Sequence, residues 1–144
     1  MTISFCAEDL KFPSTLKRIQ CKALIQHIIA SESKKPLDYI NFIACSDEFL
    51  LTINKNYLQH DYYTDIITFD YSETAIASDI YISMERVKEN AKGLNVSGLQ
   101  ELQRIIIHGV LHLCGYEDAT DEQRAVMTKK ENQYLSVLSI YATE

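Results

Sequence analysis

The sequence predicts an α+β fold, a small mixed β-sheet of about four strands with helices packed on it. Two observations lead there. Strand-like and helix-like segments follow one another as β-α-β-α-β-β-α-α-α, which suits a mixed sheet better than a doubly wound one. The strand-like segments are short and rich in β-branched and aromatic residues, whereas the helix-like segments are bounded by capping residues.

In chain order, Thr2 to Cys6 reads as a first strand. A helix is expected to begin after Ser14 and to run to about Ala30, with Leu16, Ile19, Ala23, Leu24, His27 and Ile28 at helical spacing. Ser31 to Pro36 is a linker turn, and Asp38 to Cys45 is a half-buried strand. Ser46 caps a helix from Asp47 to about Leu58, and its acidic first turn suits a helix N-terminus. Asp65 to Tyr71 and Ala77 to Ser83 pair as antiparallel strands. Met84 to Lys92 is an amphipathic helix that Gly93 can end. Ser97 to Gln100 and Thr120 to Gln123 are capping boxes that open the last two helices. The final helix continues through Ala125, Val126, Met127, Asn132, Tyr134, Leu135 and Leu138.

At 144 residues, positions 1–144 are expected to form a single domain. With 47% hydrophobic and 24% charged residues, and only 4 Gly and 2 Pro, the composition excludes disorder. Apolar runs are short and the N-terminus lacks the features of a signal peptide, so a cytoplasmic location without membrane contact is expected. Cys6, Cys21, Cys45 and Cys114 are scattered with no CxxC pair, which favours free thiols. The net charge of -6 argues against nucleic acid, whose affinity usually begins with neutralised phosphates. Lys17, Arg18, Lys22 and Arg86, Lys88, Lys92 can each form a basic strip, but the simpler reading is a solvated helix face. No aromatic platform or dense basic groove announces RNA.

The chemistry concentrates at residues 108 to 118, His-Gly-Val-Leu-His-Leu-Cys-Gly-Tyr-Glu-Asp. His108 and His112 are four apart, so on a helix their imidazoles lie one turn above the other and can face one metal ion. Gly115 suits the point where that helix ends, which carries Asp118 back toward the histidines. Two imidazoles, one carboxylate and an open position form the ligand count of catalytic zinc. Cys114 is a poor fourth ligand, being turned about 200° from His112 around the helix and toward the core. A cation so held can activate water for hydrolysis. The pattern HxxxHxxGxxD has the zincin-like spacing of the metzincin proteases, HExxHxxGxxH, with Gly109 in place of the Glu that serves as their base. Peptide hydrolysis is therefore disfavoured and a phosphodiester is the better target.

These residues resemble the HGxLHLxGYDH signature of the YbeY endoribonucleases, metal-dependent enzymes of ribosomal RNA maturation and ribosome quality control. Ile53 to Phe69 is similar to that family's LNxxYRxxDxPTDVLSF pattern, Ser78-Asp79-Ile80 to its GDI strand, and Met127 and Glu131 to its closing MxxxE. The resemblance implies an endoribonuclease of small-subunit RNA processing, with one Zn2+ held by His108, His112 and Asp118 and with RNA rather than DNA as partner. Asp118 stands where the family usually has His, Ser78 where it has Gly, and Leu58 where it has an Arg, a place that His60 or Lys55 can fill. The residues alone leave the catalytic base unassigned and keep two alternatives open. One is a non-haem iron oxidoreductase, which shares the two-histidine, one-carboxylate ligand set. The other is a non-catalytic ribosome-associated factor whose metal only pins the last helices.

Overall fold

The computed structural model describes residues 2–142. Nine elements follow in the predicted order: β1 (Thr2–Ala7), α1 (Arg18–Glu32), β2 (Leu37–Cys45), α2 (Asp47–Leu58), β3 (Ile66–Asp70), β4 (Ile76–Ser83), α3 (Met84–Leu94), α4 (Gly98–Leu113) and α5 (Asp121–Ala142). The sheet order is β1-β2-β4-β3. β1 and β2 are parallel, as are β2 and β4, whereas β3 turns back antiparallel to β4 in a register that opposes Thr68 to Ile80. The mixed α+β sheet is thus the one expected, and β3 forms one of its edges.

Alternation along the strands divides the core. Ile40, Phe42 and Ala44 of β2 and Ile76, Ile80 and Ile82 of β4 join Leu24, Ile25 and Ile28 of α1 and Leu102, Ile105, Ile106 and Val110 of α4 in one cluster. Ile67 meets Leu50 and Ile53 of α2 in a second. α4 is buried nearly all round, and each of its fully buried Ile, Leu or Val side chains contributes about 1.5–3 kcal/mol. That burial makes α4 a rigid platform for its two histidines.

Ser46 and Ser97 cap their helices as expected, and Ser83 does the same for α3; each accepts from the backbone N–H three residues on, at 3.1 Å. Three local expectations need correction. α1 starts at Arg18, because Leu16 N–H closes a turn on the Pro13 carbonyl at 3.1 Å and removes Ser14 as a cap. Its inner face is Cys21, Leu24, Ile25, Ile28 and Ile29, while Ile19 and Ala23 are exposed. α3 continues through Gly93 to Leu94, and Asn95 takes the left-handed position at φ 57°. In α5 the buried stripe is Met127, Glu131, Tyr134 and Leu138, and Val126 is exposed.

Candidate active site

α4 ends in a Schellman closure: Gly115 N–H donates to the His112 carbonyl at 3.0 Å and Tyr116 N–H to that of Leu111 at 3.1 Å. The closure needs a left-handed residue, and Gly115 supplies it at φ 101°. Beyond it the chain reverses. Asp118 Oδ2 comes within 3.2 Å of His108 Nε2 and 3.5 Å of His112 Nε2. Its loop is held from α5, where Thr120 and Gln123 form the expected capping box. Arg124 Nη1 also donates to the Asp118 and Ala119 carbonyls, at 3.2 and 3.1 Å.

The two Nε2 atoms lie 2.9 Å apart, and their outer partners fix what they can offer. His112 Nδ1 sits 2.8 Å from the Tyr116 carbonyl, which can only accept, so Nδ1 carries the proton. His108 Nδ1 sits 2.6 Å from Glu131 Oε2, and the same assignment follows. In the neutral rings both Nε2 atoms therefore present lone pairs. Together with the Asp118 oxygen they form an acceptor-only trio lying within 4.8 Å of one another. Such a trio is mutually repulsive unless a cation sits among its members, and two imidazoles with a carboxylate suit a divalent metal. The predicted residues thus form a group able to hold a metal ion.

A layer behind the trio was not legible from spacing. Arg104 Nε and Nη2 donate to the two oxygens of Glu101 at 2.7 and 2.6 Å, and its Nη1 to Glu131 Oε1 at 3.2 Å. Glu101 and Glu131 are only 1% and 3% exposed. Two buried carboxylates against one guanidinium leave surplus negative charge behind His108, which strengthens its Nε2 as a donor to metal. On the other side Glu32 accepts from Tyr116 Oη at 2.7 Å and Tyr134 Oη at 2.9 Å, and pairs with Lys130 at 3.0 Å. Burial alone would raise the Glu32 carboxyl, but the hydrogen bonds from Tyr116, Lys130 and Tyr134 outweigh it and hold it below its ordinary value. Tyr116 is fixed by that contact, and its carbonyl orients His112.

Gly109 lies against the sheet. A Cβ there would stand 3.0 Å from Ile66 Cδ1 and 3.3 Å from Ile80 Cδ1. A protease-type Glu would have to push these two isoleucine ends aside, so the close approach of α4 to the sheet favours Gly at this position. Cys114 packs against the core, outside the converging trio, and burial pushes its thiol up to about 12.

The trio opens on a cleft of about 560 Å³ whose walls include Leu58, His60, Asp65, Thr68 and Asp70. Among the described residues lining it none is Lys or Arg. His60 is at the wall, stacked on Tyr62 at 5.2 Å, whereas Lys55 is turned to Asp61 at 3.3 Å. Of the two basic strips, the second is neutralised in part by a part-buried Arg86–Asp47 pair and a solvated Lys92–Glu89 pair. Asp65 is the cleft's unpredicted feature. Burial raises its carboxyl above the ordinary value, against the opposing pull of Arg104 and His108.

The sequence profile of the family described as Endoribonuclease YbeY matches residues 5–139. The chain belongs to the YbeY endoribonuclease family. It is 44% identical over 139 residues to the Endoribonuclease YbeY of Parabacteroides distasonis, covering 96% of each chain. It is 43% identical to that of Bacteroides fragilis, covering 95% of this chain and 98% of the other. Its fold is similar to the solution structure of TM1509 from Thermotoga maritima, with a TM-score of 0.67, 26% identity, and coverage of 94% of this chain and 88% of that one. For a YbeY family member, Asp118 and Leu58 are departures from the signature that the sequence already displayed. Among the described residues no helix is long and apolar enough to cross a membrane.

Proposed function

We propose that this chain is a zinc-dependent endoribonuclease that cleaves single-stranded RNA, with His108, His112 and Asp118 as the metal ligands. The convergence of two imidazole lone pairs and one carboxylate oxygen within 4.8 Å carries the reading. A divalent cation, which His108, His112 and Asp118 would hold, would supply Lewis acidity toward phosphate oxygens and a more acidic bound water for phosphodiester hydrolysis. The chain's own residues do the rest. Glu131 and the Tyr116 carbonyl keep both Nδ1 atoms protonated and both Nε2 atoms available, and Arg104 holds Glu131 in place. Asp118 contributes an oxygen where the family signature has an imidazole, which makes the site more anionic. Asp65 faces the same cleft as a carboxyl whose proton burial holds more tightly than usual. Family membership favours ribosomal RNA or the small ribosomal subunit as partner and the cytoplasm as location.

Cleavage assays on structured and single-stranded RNA, with and without chelator, test the proposal. Chelator-sensitive cuts within single strands are expected. Cleavage that ignores the chelator, or none by zinc-loaded protein, overturns it. Iron content with oxygen consumption would instead establish the oxidoreductase alternative.

A further inference from the structure

We propose that an aromatic groove beside the cleft is a stacking subsite for a base of the single-stranded RNA flanking the cut. The inference rests on the endoribonuclease reading. The groove, of about 280 Å³, is lined by Phe49, Ile53, Tyr57, Phe69, Tyr71 and Tyr81. It and the metal cleft are built on opposite sides of the same two elements, β3 and α2. Along the edge strand β3 and the residue that follows it the side chains alternate, so that Thr68 and Asp70 line the cleft while Phe69 and Tyr71 line the groove. On α2, Asn54 and Leu58 face the cleft while Ile53 and Tyr57 face the groove. A strand crossing the free edge of β3 reaches both.

The rings are held ready by one another. Phe69 and Tyr71 are parallel at 6.4 Å and 6°, Tyr57 stands edge-on to Phe69 at 6.1 Å, and Tyr81 stands edge-on to it at 6.0 Å. Yet Tyr57 is 72% and Tyr71 53% exposed. Contiguous exposed aromatic surface on a soluble chain marks a binding site. Charge selects the occupant's mode of attachment. With no Lys or Arg among the described residues lining the cleft and a net charge of -6, phosphate neutralisation contributes little. Base stacking is indifferent to that deficit, is tolerant of sequence, and is worth about 1–3 kcal/mol per base. The groove therefore supplies the attachment that the cleft's electrostatics withhold.

The test uses the zinc-loaded full chain and steady-state cleavage of a fluorescein-labelled single-stranded RNA oligonucleotide, with light scattering for oligomeric state. Tyr57→Ala and Tyr71→Ala are each expected to raise KM roughly tenfold and to lower kcat far less, whereas Tyr57→Phe and Tyr71→Phe restore KM because the ring is kept. Wild-type KM in both Ala variants overturns the subsite. A dimer in the wild type that both Ala variants abolish, with KM unmoved, also overturns it and assigns the groove to a second copy of the chain. Failure of the wild type to cut or bind the oligonucleotide strikes the endoribonuclease reading itself, a result distinct from either of these.

Discussion

Glu131 Oε2 lies 2.6 Å from His108 Nδ1, although the two residues are 23 positions apart and on different helices. The contact makes α5 part of the site, because the helix that carries Glu131 also ties down the Asp118 loop through Arg124. Glu131→Gln keeps the shape and removes the charge. Outer partners of this kind alter metal affinity by about 10- to 100-fold. Zinc competition with a chromophoric chelator is expected to show weakening within that range; unchanged affinity would mean that the carboxylate does no more than fill space.

The Glu101–Arg104 fork holds that carboxylate in turn, with Glu101 almost wholly buried. Breaking a buried pair by removing one partner costs about 3–5 kcal/mol, since the other charge is left without compensation. Glu101→Ala is expected to lower stability by that order in urea denaturation. A loss under about 1 kcal/mol would indicate that water replaces the lost carboxylate.

Gly109 decides what chemistry the helix excludes. Gly109→Glu places a carboxylate where even a Cβ meets Ile66 at 3.0 Å, and is expected to destabilise the chain by more than about 3 kcal/mol without conferring peptidase activity. Denaturation and a peptide-cleavage assay read the two parts separately, and a stable variant that cuts peptide would refute the steric explanation.

Asp65 gives a pH dependence whose sign is fixed by its burial. A carboxyl raised above its ordinary 3.8 binds its proton more tightly in the folded chain, so stability is lost as pH rises through that value and on toward the folded one. An asparagine side chain at this position carries no such penalty and can still accept from Asn90 Nδ2, which donates to Asp65 Oδ2 at 3.1 Å. Asp65→Asn is expected to melt higher than the wild type at about pH 7 in chelator, with the gain shrinking toward about pH 4. A variant that melts lower at about pH 7 would show the carboxylate to be stabilising instead.

What the sequence disclosed follows from the range of the interactions. His108, His112, Gly115 and Asp118 are linked by helix periodicity and one turn, both local, and so could be read directly. The Ser97 and Thr120 caps are local too. Glu101 was hidden, and Glu131 stood out only through its match to the closing MxxxE with no role attached, because a carboxylate at a core position of a helix finds its partner only through tertiary packing. The visible sign was that Glu131 falls on the stripe of Met127, Tyr134 and Leu138. Ser14 failed as a cap because a turn from Pro13 competed with it, and Gly93 failed as a stop because Asn95 takes the left-handed position two residues later. The aromatic groove was invisible in sequence because its rings come from α2, β3 and β4, which only the sheet brings together.

Asp118 is the residue on which the ligand set depends, being half-exposed and on a loop rather than on α4. The most direct measurement is the rate of single-stranded RNA cleavage as zinc is titrated into metal-stripped protein, for the wild type, Asp118→His and Asp118→Ala. The rate should rise and saturate at a single zinc per chain in the wild type and in Asp118→His, and should stay flat in Asp118→Ala at the same zinc concentrations. Full cleavage by the stripped protein in chelator, or an Asp118→Ala titration that overlays the wild type, would contradict the metal-dependent site.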